Sequence, residues 1–265
     1  MKSIYLLLFI LVSYRVQSQM FPYKKLREVK LQPGIDRISV DRLGGFYTLS
    51  KCDIEQFDPE GRPNKKYFST GCAGIELIEA WPLMRIYAYQ KSKQQFLVFD
   101  HSLEIVDSLE IDPAFAVDPQ LAAPSSDLKS YWILDMDNSI KKIDINSGYV
   151  SLESEALKEV KGRFTYIREY QSMLFLLNQN SGIYVINKLG KLVSEIDTSG
   201  IQYFSFLGED LYYLKGDQLH FYDIFSRDTY SIEVPAGNKF VVATDEKLIL
   251  VKDGRAEIFE FSPRK

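Results

Sequence analysis

The chain is poor in the residues that most catalytic and metal sites require. Its 265 residues include only two histidines, His101 and His220, and two cysteines, Cys52 and Cys72. A zinc site needs several such ligands converging at about 2 Å. His101 is predicted in a turn and His220 on a strand of a different blade, so the two do not supply them. Nucleophile elbows, phosphate loops, sialidase-type Asp boxes and paired-cysteine metal motifs are also missing. We therefore expect a protein with no metal, no cofactor and no catalytic residues.

The chain also lacks an apolar run long enough to cross a membrane as a helix. Its longest run, residues 4–12, is about half of the roughly 20 residues that a transmembrane helix needs. Lys2 precedes this run and Val16-Gln17-Ser18 offers small residues after it, which together predict a signal peptide over residues 1–18. A buried N-terminal helix is the alternative interpretation. The mature chain, residues 19–265, is then an exported single domain, in the periplasm, associated with the outer membrane, or extracellular.

An excess of charge of one sign is missing as well. The net charge is only −4, and acidic and basic residues are interleaved along the chain. Nucleic-acid binding requires a clustered basic face. We therefore expect no nucleic-acid partner.

What the chain does have is one pattern repeated six times: an apolar strand, a polar turn, and a second apolar strand ending in an acidic residue or Asn. The first strands of the six units begin 37 to 45 residues apart, at Tyr47, Tyr87, Trp132, Phe175, Tyr212 and Ile249. A period near 40 residues built only of strands is typical of propeller blades, each a four-stranded sheet. The sequence therefore predicts an all-β, six-bladed β-propeller of antiparallel blades.

The sixth unit is one strand short, and the N-terminus supplies a candidate for it. The chain ends soon after Phe261, before a fourth strand can form. Residues 25–31 lie before the first blade and alternate like an outermost strand. Pairing them with the last strand would close the ring and remove two open edges.

On these repeats the chain resembles the six-bladed propellers of the NHL and YWTD-like group, and more loosely the WD40-like propellers. The resemblance covers nearly the whole mature chain, although the Trp-Asp, Tyr-Trp-Thr-Asp and Asn-His-Leu strings of those groups are absent. It implies a scaffold. The leader resembles those of exported Bacteroidota proteins, and resemblance to small Bacteroidota envelope propellers implies an accessory or plug subunit of an outer-membrane translocon.

Two long loops lead into innermost strands on one face of the predicted ring, over residues 112–128 and 155–162. Long loops on a rigid scaffold are where binding residues concentrate. We therefore predict that the protein binds another protein there. The candidate binding residues are Asp112, Pro113, Phe115, Pro119, Glu155, Lys158 and Lys161.

The alternative is a small-ligand binder or a lactonase-like or cyclotransferase-like enzyme that uses the central channel. It requires polar side chains on the innermost strands, which we place at residues 38–40, 77–79, 115–117, 165–167, 203–205 and 241–243. The candidates are Glu79, Tyr166, Arg168 and Tyr203, each with a packing explanation as well. Glu79 is the only carboxylate in these six segments, which is too few for a metal cage.

Two further patterns allow more than one interpretation. Export favours a disulfide between Cys52 and Cys72, but two separate buried thiols or, least favoured, a catalytic thiol are the alternatives. The Asp135-x-Asp137-x-Ser139 segment is similar to a calcium loop, but the loop's glycine and distant glutamate are absent. A plain hairpin turn is the favoured interpretation.

Overall fold

The computed structural model describes residues 23–51, 53–69, 74–82 and 84–263. Within these ranges the chain forms 24 strands, grouped in six antiparallel sheets of four. The described residues contain one helical segment, a single 3₁₀ turn at Lys91–Lys93. The predicted all-β, six-bladed propeller is therefore confirmed.

Each blade contributes an innermost strand a, followed outward by strands b, c and d. Blades 1 and 2 consist of β2 (Ile35–Val40), β3 (Phe46–Ser50), β4 (Asp53–Phe57), β5 (Pro63–Tyr67), and β6 (Ile75–Glu79), β7 (Ile86–Gln90), β8 (Gln95–Phe99), β9 (Ile105–Glu110). Blades 3 and 4 consist of β10 (Leu121–Pro124), β11 (Ser130–Leu134), β12 (Ile140–Asp144), β13 (Val150–Ser154), and β14 (Phe164–Tyr170), β15 (Met173–Asn178), β16 (Gly182–Ile186), β17 (Leu192–Ile196). Blades 5 and 6 consist of β18 (Phe204–Leu207), β19 (Asp210–Lys215), β20 (Gln218–Asp223), β21 (Thr229–Glu233), and β22 (Phe240–Ala243), β23 (Lys247–Lys252), β24 (Arg255–Glu260), β1 (Lys25–Lys30).

Burial falls from the inner to the outer strands of a blade, and the sequence follows it. In blade 4 every residue of β16 is buried, whereas in β17 only the last residue is buried. Inner strands are covered on both faces by neighbouring blades, so apolar residues occupy both faces. Outer strands have more exposed surface and alternate between partly buried and exposed positions.

The N-terminal strand closes the ring, as predicted. β1 pairs antiparallel with β24, with Val29 opposite Ala256, and the Leu31 N–H donates to the Gly254 carbonyl at 2.9 Å. Val29 and Leu31 are buried. The closed blade also packs tightly on blade 1, because a Cβ added at Gly61 would lie 2.3 Å from Ile258 Cδ1.

The prediction for the innermost strand of blade 3 is wrong. That strand is β10, Leu121–Pro124, rather than residues 115–117. The loop before it therefore ends at residue 120 and not at the predicted residue 128. Residues 112–118 instead form turns, because the Asp112 carboxylate accepts the Ala114 N–H and the Asp135 carboxylate accepts the N–H groups of Val117 and Asp118. Side-chain acceptors of this kind compete with strand pairing for the backbone.

Several predictions fall on residues that the structure does not describe. The signal peptide over residues 1–18 lies outside the described residues, as do Cys52 and Cys72. In the ranges that are described, no helix has the length and apolar character needed to span a bilayer.

Candidate functional site

The blades place their turns on two faces of the ring. The b–c turns and the d–a loops emerge on one face, called here the b–c face, and the a–b and c–d turns emerge on the other, the a–b face. The central channel runs between the two faces and is lined by the six strands a. Candidate residues from the sequence lie in the channel and on the b–c face.

A buried ion pair crosses the centre of the ring. Arg168 Nε on β14 lies 3.2 Å from Glu79 Oε2 on β6, so the pair joins blades 4 and 2. Arg168 Nη1 also donates to Ser205 Oγ on β18 at 2.8 Å, and Glu79 Oε1 accepts the Trp81 N–H at 3.0 Å. Burial lowers the pKa of the Arg168 guanidinium, but Glu79 and the neighbouring tyrosines Tyr166, Tyr203 and Tyr212 together raise it by more, so the net shift is upward. The guanidinium therefore keeps its charge.

Two tyrosines complete the centre of the channel. The Tyr166 and Tyr203 rings lie 5.3 Å apart, and Tyr166 also packs edge-on against Phe204. Burial raises the pKa of both hydroxyls, so both stay protonated at neutral pH. The four channel candidates from the sequence are thus brought close together, but each is at most 5% exposed. A ligand would have to displace packed side chains to reach the Glu79–Arg168 pair, whereas Tyr203 contributes to the lining of an open cavity of about 320 Å³.

Aromatic rings hold the Arg168 guanidinium on the side of the a–b face. Its Cζ atom lies 5.3 Å from the centroid of the Trp81 ring and 5.7 Å from that of Phe206. Tyr170 stacks on Phe206 at 4.1 Å. Such contacts stabilise a desolvated cation by about 2 kcal/mol, so the aromatic residues stabilise the ion pair rather than offer an empty cage.

An open cavity of about 420 Å³ lies above these rings at the a–b mouth of the channel. Trp81 and Phe206 contribute to its lining, with Arg42 and Asp41 on one side. Arg42 Cζ is 5.6 Å from the Trp81 ring centroid. Burial raises the pKa of the Asp41 carboxyl, partly offset by the N–H groups of Leu43 and Gly45 that it accepts.

Sequence reasoning missed a second buried carboxylate on an innermost strand, Glu169 of β14. Its Oε2 accepts hydrogen bonds from the Ser125 hydroxyl, the Ser126 N–H at 3.1 Å and Trp132 Nε1 at 2.7 Å. Lys142 Nζ lies 3.7 Å from its Oε1. Since every partner belongs to blade 3, Glu169 joins blades 3 and 4. The longer β14, which extends to Tyr170, could have indicated this residue.

On the b–c face, one buried carboxylate holds the backbone at two residues with exposed apolar side chains. Asp135 is 5% exposed and accepts the N–H groups of Val117, Asp118 and Met136, each at 2.8 Å. Val117 and Met136 are nevertheless 79% and 61% exposed. The carboxylate holds the backbone of the blade 2–3 loop against the b–c turn of blade 3, so the backbone positions of Val117 and Met136 are fixed.

Charged residues flank this pair. Lys158 forms ion pairs with Glu155 and, at 3.7 Å, with Asp137. Asp137 Oδ1 accepts the Ser139 N–H and hydroxyl, which agrees with a hairpin turn. The surface is named here the blade 3 rim and comprises Val117 and Met136 with Asp112, Pro113, Glu155 and Lys158.

The remaining predicted rim residues are placed differently. Pro119 is buried, and its carbonyl accepts the Tyr89 hydroxyl at 2.9 Å. Phe115 is half-buried, and its carbonyl accepts Lys141 Nζ at 2.6 Å. Lys161 is exposed, and its carbonyl accepts Asn178 Nδ2 at 3.1 Å. These three residues position the loops with their backbone carbonyls.

The histidines do not form a site together. His220 stacks on Tyr213 at 5.1 Å, and burial lowers its pKa, so it is neutral at neutral pH. His101 is exposed in the c–d turn of blade 2. The part of the chain that the structure describes contains no group of three or more His, Cys, Asp and Glu side chains arranged to hold a metal ion.

The chain matches no family model and no curated protein. Among solved structures it is similar to the streptogramin B lyase structure, with a TM-score of 0.59 and 13% sequence identity. The match covers 90% of this chain and 87% of that chain. At this identity the similarity supports the propeller fold and nothing finer, so the NHL and YWTD-like resemblance stays a prediction.

Proposed function

We propose that this protein is a non-catalytic, exported β-propeller that binds another protein through the blade 3 rim. The observation that carries the proposal is the buried Asp135 carboxylate, which holds Val117 and Met136 in place while both side chains remain exposed. A loop backbone that is already held in place loses little conformational entropy on binding, which favours affinity. Apolar contacts surrounded by a polar rim are the usual anatomy of protein interfaces.

The closed centre of the ring supports a role without catalysis. The Glu79 and Arg168 side chains are occupied by each other and by Ser205 and the Trp81 backbone. A general acid or base must instead be within hydrogen-bond reach of a substrate. The sequence features of the leader support export, and the partner is then a protein of the cell envelope, with this chain as an accessory or plug subunit of an outer-membrane complex.

The test is affinity purification from detergent-solubilised envelopes with rim variants. Val117→Asp and Met136→Asp each add a charge to the rim, and we expect loss of a stoichiometric partner with an unchanged melting temperature. Leu189→Asp is the control, because Leu189 is 68% exposed in a c–d turn on the opposite face. Recovery of the wild-type protein alone, or equal partner recovery from all variants, would contradict the proposal.

A second candidate function is favoured by the cavity at the a–b mouth. Its volume of about 420 Å³ falls within the usual range for small-ligand sites, and it combines an aromatic base at Trp81 with charged side chains at Asp41 and Arg42. A small ligand bound there would quench or shift Trp81 fluorescence. Trp132 on the Glu169 side of blade 3 provides the internal reference, and Trp81→Phe should abolish the change.

A further inference from the structure

A groove of about 410 Å³ separates the outer strand of blade 2 from blade 3. One wall is β9 at Leu109 and Glu110, and the loop residues Asp112 and Phe115 close one end. The other wall is blade 3, at Tyr131 and at the c–d turn that begins at Asp144. The groove therefore begins beside the blade 3 rim and continues down the side of the ring.

The β9 wall presents an unpaired strand edge. β9 is the outermost strand of blade 2 and pairs only with β8 in that sheet. The Ser108 N–H points outward from the sheet and donates to the Asp107 side chain at 2.8 Å, a contact that an added strand would replace. Exposed edges are templates for another strand, and natural proteins usually protect them with Lys or Pro. β9 carries neither; its charged residues are the carboxylates Asp107 and Glu110, and its Ile105 and Val106 are 48% and 55% exposed.

The equivalent position between blades 4 and 5 shows that this groove is not a general result of blade stacking. There, β17 and the c–d turn of blade 5 enclose only about 90 Å³, and Arg227 contributes to the lining. The blade 2–3 groove is more than four times larger.

The charge of the groove indicates what fits in it. Glu110, Asp112 and Asp144 contribute carboxylates, and no Lys or Arg is among the described residues that line it. None of the three forms an ion pair with another described residue. Hydrogen bonds from Ser147 lower the pKa of Asp144, and the nearby Lys129 charge lowers it further. Between the carboxylates lie the apolar side chains of Leu109, Phe115, Tyr131 and Ile145.

We propose that an extended, basic segment of a partner protein binds this groove by adding a strand to the edge of β9. Strand addition takes its affinity from main-chain hydrogen bonds and its specificity from alternate side chains. The segment would place apolar side chains against Leu109 and Phe115, and Lys or Arg side chains near Glu110 and Asp112. This inference rests on the proposed function, because it gives the chemistry of one segment of the partner that the blade 3 rim binds.

The test is fluorescence anisotropy of the purified full chain with a labelled octapeptide of alternating Lys and Val. We expect saturable binding of this peptide and none of a Glu–Val octapeptide. A Lys–Val octapeptide methylated on alternate backbone nitrogens keeps its charge but loses half of its N–H donors, and it should bind about tenfold more weakly because two or so hydrogen bonds are lost.

Two variants separate strand addition from charge attraction. Ser108→Pro removes an outward N–H and leaves the β8 pairing intact, because Pro is tolerated where a strand N–H faces outward. It should weaken the Lys–Val peptide about tenfold. Glu195→Pro is the control, since Glu195 of β17 pairs with Tyr184 as Ser108 pairs with Leu97.

The double variant Glu110→Gln/Asp112→Asn should weaken binding about fivefold, whereas Glu153→Gln/Glu195→Gln on other outer strands should not.

Absence of binding by the Lys–Val peptide would overturn the inference. The inference would also be overturned if the Lys–Val peptide bound Ser108→Pro as tightly as the wild-type protein and the methylated peptide bound the wild-type protein equally well. The attraction would then be electrostatic alone. These failures differ from failure of the proposed function. If Ser108→Pro still recovers the envelope partner while Met136→Asp does not, the rim binds the partner and the groove does not.

Discussion

The centre of the ring and the outer side of blades 2 and 3 both contain carboxylates and aromatic rings, but they use them in opposite ways. In the centre, the Glu79 charge is paired with Arg168, and aromatic rings enclose the pair. On the outer side, Glu110 and Asp112 are exposed and face a groove with an apolar floor. Residue type alone does not indicate a binding site. What distinguishes the two regions is whether the charged groups are already satisfied within the fold.

The largest effect is expected from opening the ring, because closure keeps the centre away from water. Deletion of residues 24–32 removes β1 together with the buried side chains of Val29 and Leu31. Burial of each such side chain contributes roughly 1.5–3 kcal/mol, and β24 would become an open edge that promotes aggregation. We expect a loss of at least about 3 kcal/mol in the free energy of unfolding, measured by urea denaturation, and oligomers on size-exclusion chromatography. A deleted protein that remained monomeric with wild-type stability would contradict the closure.

The next largest effect is expected from breaking the central ion pair. Arg168→Met leaves the Glu79 carboxylate buried without its partner, which typically costs about 3–5 kcal/mol. The double variant Glu79→Gln/Arg168→Met removes both charges and should recover much of that stability. Urea denaturation of the two single variants and the double variant measures the coupling. Additive losses would show that the two side chains act independently, and the account of the centre would then be wrong.

The sequence could predict the closing strand but not the central ion pair. The repeat period, the Asn-, Asp- and Gly-rich turns and the missing sixth outer strand are local patterns, so the six blades and the closing strand follow from them. The four channel candidates were predicted because alternation along a strand shows which side chains face inward. The ion pair between Glu79 and Arg168 was not predicted, because the two residues lie on blades 2 and 4 and only the folded ring brings them together.

The parts that sequence reasoning missed depend on contacts between distant segments. The innermost strand of blade 3 was misplaced because Phe115-Ala116-Val117 is apolar, whereas the hydrogen bond from the Val117 N–H to the Asp135 carboxylate joins residues 18 positions apart. Glu169 was missed because β14 is longer than predicted. The two cavities lie between elements far apart in the chain, so no local pattern indicates them.

The smallest effect on stability is expected from a change in pH, and its direction differs between Asp144 beside the groove and Asp41 at the channel mouth. Hydrogen bonds from Ser147 lower the pKa of Asp144 beside the groove, so its contribution to stability is present above the unfolded pKa near 3.9 and is lost as pH falls through the folded value. Burial raises the pKa of Asp41 at the channel mouth, so its contribution is present at low pH and is lost as pH rises through the folded value.

Asp144→Asn should therefore lower the melting temperature at pH 7 by about 1–2 °C, and this difference should shrink as pH falls through the lowered folded pKa. Asp41→Asn should not lower it at pH 7. Differential scanning calorimetry between pH 3 and pH 7 measures both variants. Equal responses of the two variants would show that the carboxylates have similar environments.

Site-specific photo-crosslinking in cells compares the two faces directly. A benzophenone amino acid placed at Met136 reports on the blade 3 rim, and the same residue placed at Leu43, which is 71% exposed, reports on the a–b mouth of the channel. If the protein binds its partner through the rim, the Met136 variant will give a discrete crosslinked protein band and the Leu43 variant will not. A band from Leu43 with none from Met136 would contradict the central claim.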